Sequence, residues 1–116
     1  MISEAQRVYL AAAPIDMRKS IDGLAAIVQQ SFSLDPFSNS LFVFSNRHRN
    51  KLKVLEWSHC GFWLHYLRLE SGKFQWPTAC GTDTICIDSR QLRWLIDGLS
   101  IAQKQAHREI KARAII

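Results

Sequence analysis

The stretch LDPFSNSLFVFSNRHRNKLKVLEWSHCGFWLHYLRLESGKFQWP, Leu34 to Pro77, decides the fold. Residues 41–45 (LFVFS) are a continuous apolar run, suited to a central strand. Residues 51–57 (KLKVLEW) alternate Lys51 and Lys53 with Leu52 and Val54, the period of a half-buried strand. Residues 62–70 (FWLHYLRLE) give the longest strand. Short turns at 46–50, 58–61 and 71–73 join these runs, and Phe74 to Trp76 can pair briefly before Pro77 stops the chain. The pattern predicts a β-meander. Its first turn is dense in positive charge: Arg47, His48, Arg49, Lys51 and Lys53, with no acid among them. A strand pair with a cationic tip can enter a nucleic-acid groove or lie along phosphates.

On the N-terminal side, Val8 and Leu10 alternate with Arg7 and Tyr9, which predicts a strand over 7–11. Met17, Ile21, Leu24, Ala25, Val28 and Phe32 recur at three- and four-residue steps and predict a helix. Asp16 or Ser20 can cap it. Gly23 inside it is unfavourable by about 1 kcal/mol relative to Ala, which calls for a close helix-to-sheet contact or a late helix start. On the C-terminal side, 84–88 (TICID) is a last strand. Ser89 is a helix cap, Leu92, Leu95, Ile96 and Leu99 are a buried stripe, and Gly98 is the stop. Residues 101–113 can form a further basic, weakly amphipathic helix, or a tail ordered only by a partner. The expected class is α+β: one antiparallel sheet with one face covered by two helices. A single domain over 1–100 precedes a basic extension over 101–116.

At 116 residues, with 47% hydrophobic and 22% charged side chains, one folded domain is expected and wholesale disorder is not. No apolar run reaches the roughly 18 residues of a membrane span, and no signal-peptide layout opens the chain. The expected location is the cytoplasm. The net charge is +5, concentrated around residues 47–53 and in the last fifteen residues. Two basic patches suit a polyanion partner.

Catalysis finds little support. The histidines, His48, His59, His65 and His107, lack any accompanying nucleophile motif, and no phosphate-binding glycine loop is present. The carboxylates are spread singly, not in the converging set that a two-cation nuclease needs. Asp16 as a cap and Asp35 before Pro36 have ordinary structural roles. Cys60, Cys80 and Cys86 form no CxxC pair, so neither a metal nor a cofactor is expected. The aromatics between Phe42 and Trp76 suit cross-strand packing first, and base stacking or a protein interface second.

Several blocks together, VYLAAAPIDMRKSIDGLAAIV from Val8, LDPFSNSLFVF, NRHRNKLKVLEW and RLESGKFQWP, resemble the TnpB accessory proteins (Orf2-like family) of insertion sequence 66-type transposons. The resemblance covers about residues 7–100. It implies a small protein encoded beside a separate, larger transposase, needed for efficient transposition and without an established enzyme activity. Its pattern points to Asp16, Met17, Arg18, Lys19, Asp22, Gly23 and Leu24, to Asp35, Pro36 and Phe37, and to Arg68, Leu69, Glu70, Phe74, Trp76 and Pro77. This chain departs from it at Trp57-Ser58-His59-Cys60, where relatives commonly carry an acidic turn. The basic tail after Leu99 lies outside the shared pattern.

The expected partners are DNA at the transposon ends and the transposase or another transposon-encoded protein. The expected DNA contacts are Arg47, His48, Arg49, Lys51 and Lys53, with Arg18 and Lys19 as a second surface. The competing role for Arg18 is an ion pair with Asp22, four positions on. An interaction module that binds the transposase without DNA affinity is the alternative.

Overall fold

Every residue of the Ser40–Ser45 strand is buried, and that fact organises the molecule. A strand is buried on alternate sides only if both faces of its sheet are covered. The computed structural model describes residues 6–102. Five strands, β1 (Arg7–Ala11), β2 (Ser40–Ser45), β3 (Lys51–Ser58), β4 (Gly61–Arg68) and β5 (Thr84–Ile87), form one sheet in the order β4-β3-β2-β1-β5. Helix α1 spans Ile21–Ala26 and runs into a π-helical turn, Ile27–Ser31; helix α2 spans Ser89–Ile96.

The meander expected from the central stretch is present as β2-β3-β4, each pair antiparallel. The sheet as a whole is mixed, not antiparallel, because β1 pairs with β2 in parallel. Strands 7–11 and 40–45 are joined by a long crossover containing α1, and such a connection returns the chain in the same direction. β5 then adds antiparallel to the other side of β1. Phe74 to Trp76 forms no strand. It crosses the tip of the β2–β3 hairpin instead, where the Phe74 N–H donates to the Arg49 carbonyl at 2.7 Å.

The helices do not share one face. Leu24 and Val28 pack with Ala11, Phe42, Phe44 and Leu55. Leu92 and Leu95 pack with Val8, Leu10, Leu41, Val43, Leu52 and Val54 on the opposite face. Strand alternation accounts for this: Phe42 and Phe44 point to one side, Leu41 and Val43 to the other. The layers are therefore helix, sheet, helix.

The first helix begins later than the apolar stripe suggests. Residues 17–18 form a turn, 19–20 are irregular, and Ser20 occupies the cap position without a side-chain bond. Gly23 thus lies in the first turn, where a Cβ would meet only the Lys19 side chain at 3.5 Å; no close approach to the sheet requires it. A four-residue step overshoots an α turn of about 3.6 residues and falls short of a wider π turn. Their succession keeps Leu24, Val28 and Phe32 over the sheet. The second helix is capped by Asp88, not Ser89: Asp88 accepts from the Gln91 N–H at 2.8 Å while the Gln91 side chain accepts from the Asp88 N–H. Gly98 ends it at φ 84°. Its N–H donates to the Leu95 carbonyl and that of Leu99 to the Trp94 carbonyl, the paired bonds of a Schellman stop. The basic helix or tail expected beyond Ala102 lies outside the described residues.

Candidate nucleic-acid interface

The turn after β2 spreads its charges in different directions. Asn46 builds it: its side-chain oxygen accepts from the backbone N–H groups of Asn50 and Lys51, both at 3.1 Å. Arg47 and His48 occupy the exposed centre of that turn. Arg49 has φ 57°, the left-handed region, which sends its side chain back towards the sheet. Its Nη2 donates to the Ala12 carbonyl at 3.2 Å. Its guanidinium carbon lies 4.8 Å from the centroid of the Trp76 ring, a cation–π distance. Trp76 is itself fixed by its indole N–H donating to the Ala11 carbonyl at 2.9 Å. Burial pushes the Arg49 guanidinium below its usual pKa.

Lys51 and Lys53 alternate with Leu52 and so share the face that α1 covers. Lys53 Nζ donates to the carbonyls of Met17 and Lys19, both at 2.8 Å. This bond pair brings the 16–19 turn onto β3, and Lys19 and Arg18 remain exposed beside it. Arg18 pairs with Asp16 at 2.7 Å, not with Asp22. Asp16 also accepts the Arg18 backbone N–H, and these bonds hold its carboxyl down to about 2.

One cation of this face was not on the list of expected DNA contacts. The two-residue loop His59-Cys60 sets the register of β3 against β4, which places Arg68 directly opposite Lys51 and Tyr66 opposite Lys53. Counting outward from that loop would have found it. Arg68 also reaches Glu70 at 3.0 Å. The result is a positive strip: Lys19, Lys53, Lys51 and Arg68, with Arg18 at one end and the Arg47-His48 tip nearby.

The other pattern residues have structural places. Met17 and Leu24 pack on the α1 face, and Asp22 is exposed. Asp35 accepts the Phe37 N–H at 2.9 Å and Pro36 is buried. The Leu69 N–H donates to the Asn50 carbonyl. Phe74 is buried in the α2-side core, and Pro77 lines a cleft with Arg49 and Trp76. Phe37, 54% exposed, meets Trp57 edge-on at 4.9 Å and Phe62 at 5.4 Å.

Among the described residues, acid–base chemistry has one close His–carboxylate pair. His65 Nε2 lies 3.0 Å from Glu56 Oε1 at the rim of a groove lined by Leu41, Leu52, Val54 and Leu92. That lining puts no serine or cysteine beside the pair. Among the described residues, no three His, Cys, Asp or Glu side chains gather closely enough to hold a metal ion. Cys60, Cys80 and Cys86 are free and exposed. Among the described residues, no helix is long and apolar enough to cross a membrane.

These features define a small mixed-sheet domain with a positively charged strip and no assembled catalytic centre among the described residues. Residues 6–106 match the model of the IS66 Orf2-like protein family, and the chain belongs to that family, an accessory family of insertion sequences and not a known enzyme family. The match runs past Leu99, into the segment that sequence blocks alone left outside. The chain is 39% identical over 93 residues to the uncharacterized protein y4hO of Sinorhizobium fredii (strain NBRC 101917 / NGR234), a match spanning 80% of each chain. It is 35% identical over 75 residues to the uncharacterized protein y4jC of the same strain, spanning 65% of this chain and 64% of the relative. No solved structure matches it.

Proposed function

We propose that the chain is a non-enzymatic accessory protein of IS66-type transposition that contacts DNA, or the transposase–DNA complex, through its positive strip. The observation that carries this reading is the Lys51–Arg68 pair. Like charges directly opposite across a strand pair disfavour the fold, and an incoming phosphate would relieve them. Family membership supplies the transposition context. Arg49 serves mainly to hold the hairpin tip against β1, so the binding set is Arg18, Lys19, Lys51, Lys53 and Arg68, with Arg47 and His48 at the tip.

A gel-shift salt titration tests this on a duplex transposon end and its separated strands. Each neutralised phosphate contributes roughly 0.7–0.9 to the slope of log K against log salt. Replacing Lys19, Lys51 and Arg68 together by Gln should flatten the slope by about 2–3. Absence of binding to every probe at low salt rejects direct contact with DNA.

A second reading has its own support: Phe37 and Trp63, 54% and 60% exposed, would suit a protein interface. Co-purification with the transposase from nuclease-treated lysate, together with no DNA affinity of the isolated chain, would favour it.

A further inference from the structure

The exposed aromatic ring inside the positive strip carries a consequence for the state of the nucleic acid. It rests on the nucleic-acid reading above and names the strand that reading leaves open. Strand β4 is an edge of the sheet, paired only with β3. Its α1-side residues are Phe62, Leu64, Tyr66 and Arg68. Phe62 and Leu64 pack against the α1-side core, whereas Tyr66 is 54% exposed. Lys53 Nζ sits 5.8 Å from the Tyr66 ring centroid, and its bonds to two carbonyls keep it there. One step along the same face stand Lys51 and Arg68, opposite each other.

A flat ring beside fixed cations offers something that a duplex does not use. Paired bases stack on one another and present phosphates and edges, so cations alone would serve. An unpaired base has a free π-face, and aromatic side chains in a positive groove bind such strands irrespective of sequence. A purely apolar partner would have to desolvate Lys51, Lys53 and Arg68. The contrast with Trp63 is instructive. It is equally exposed, but on the opposite face, stacked at 6.2 Å on His65, which is bonded to Glu56. No lysine or arginine faces it across β3.

We propose that the strip binds an unpaired nucleic-acid strand, with a base stacked on Tyr66 and the flanking phosphates on Lys19, Lys51 and Arg68. Fluorescence anisotropy at one fixed salt concentration tests this with labelled oligo-dT, oligo-rU and a duplex of equal length. A single strand should bind about tenfold or more tighter than the duplex, and the tighter of dT and rU identifies the sugar. Tyr66→Ala should weaken single-strand binding by roughly 5- to 150-fold without changing the salt slope, because no phosphate contact is lost. Tyr66→Phe should bind as the parent does. Tyr66→Leu, which keeps bulk and a strand-compatible side chain, should bind as weakly as Ala. Melting curves of all three variants confirm the fold. Duplex binding equal to or tighter than single-strand binding overturns this proposal and leaves the DNA-contact reading standing. Full affinity in Tyr66→Leu also overturns it, and no binding to any probe removes both.

Discussion

Arg49 shows how a run of like residues divides its labour once the chain turns. In sequence it is one of five neighbouring basic residues. In the fold its positive φ turns it away from the tip, onto the Ala12 carbonyl and the Trp76 ring. A charge-assisted hydrogen bond and a cation–π contact together contribute about 2 kcal/mol. Arg49→Ala is therefore expected to lower the urea midpoint by the equivalent of about 2 kcal/mol. Lysine should not rescue it, since it lacks the planar fork. Composition could not reveal this role, because it depends on one backbone angle. Asp16 offers a second test at this scale. Its folded-state carboxyl is lowered to about 2 by Arg18. The pairing therefore stabilises the fold above the ordinary carboxylate range, and that contribution is lost as pH falls towards 2. An NMR titration should find the Asp16 midpoint near 2 in the parent, and raised towards the ordinary range in Arg18→Gln, which removes the side-chain bonds and keeps the backbone one.

The elements were legible to different degrees. Strands 7–11 and 51–58 follow the expected alternation; the strand expected over 62–70 runs from Gly61 to Arg68, and the Ser58–Gly61 turn fixes its register against β3. The first helix was harder. Met17 belongs to its apolar stripe, yet the 16–19 turn is claimed by Asp16 and Lys53, so the helix starts at Ile21. No local signal announces a carbonyl pair taken by a lysine 36 and 34 positions on. The second helix was legible except at its two ends. Leu99, expected in the buried stripe, lies past the Gly98 stop and is exposed. At the cap, Ser89 and Asp88 compete and the Gln91 partner decides for Asp88. Asp88→Ala should cost about 1 kcal/mol, read as a lower urea midpoint, while Ser89→Ala should cost distinctly less. Gly98→Ala places a Cβ in the left-handed region at φ 84° and should cost about 1 kcal/mol, measured in the same way.

At the scale of the molecule, the topology was the least legible part. Yet the run SLFVFS held the clue. Its four central positions, Leu41 to Phe44, are apolar without alternation, which implies cover on both faces and argues against both helices lying on one side. What the run could not say is which helix takes which face, since that depends on the parallel return of β2. The Lys51–Arg68 opposition yields a whole-molecule prediction. Lys51→Gln should raise the melting temperature slightly at low salt, by the equivalent of up to about 0.5 kcal/mol, and the gain should fade at high salt. The same variant should bind nucleic acid more weakly. A Lys51→Gln chain that is less stable at low salt would show that Glu70 already neutralises the pair.

The strand order also sets a timetable for synthesis. β1 leaves the ribosome first, but its outer neighbour β5 and the helix that seals its second face come only after residue 83. Until then Val8, Leu10, Leu41, Val43, Leu52 and Val54 line an uncovered wall, while the wall sealed by α1 is already complete. Nascent chains that expose such a surface are prone to aggregation and proteolysis. A premature stop or frameshift upstream of β5 should therefore give a fragment that is cleared by quality control. A mobile element carrying a gene damaged there would lose the protein altogether, with no half-active remnant left to compete with intact copies.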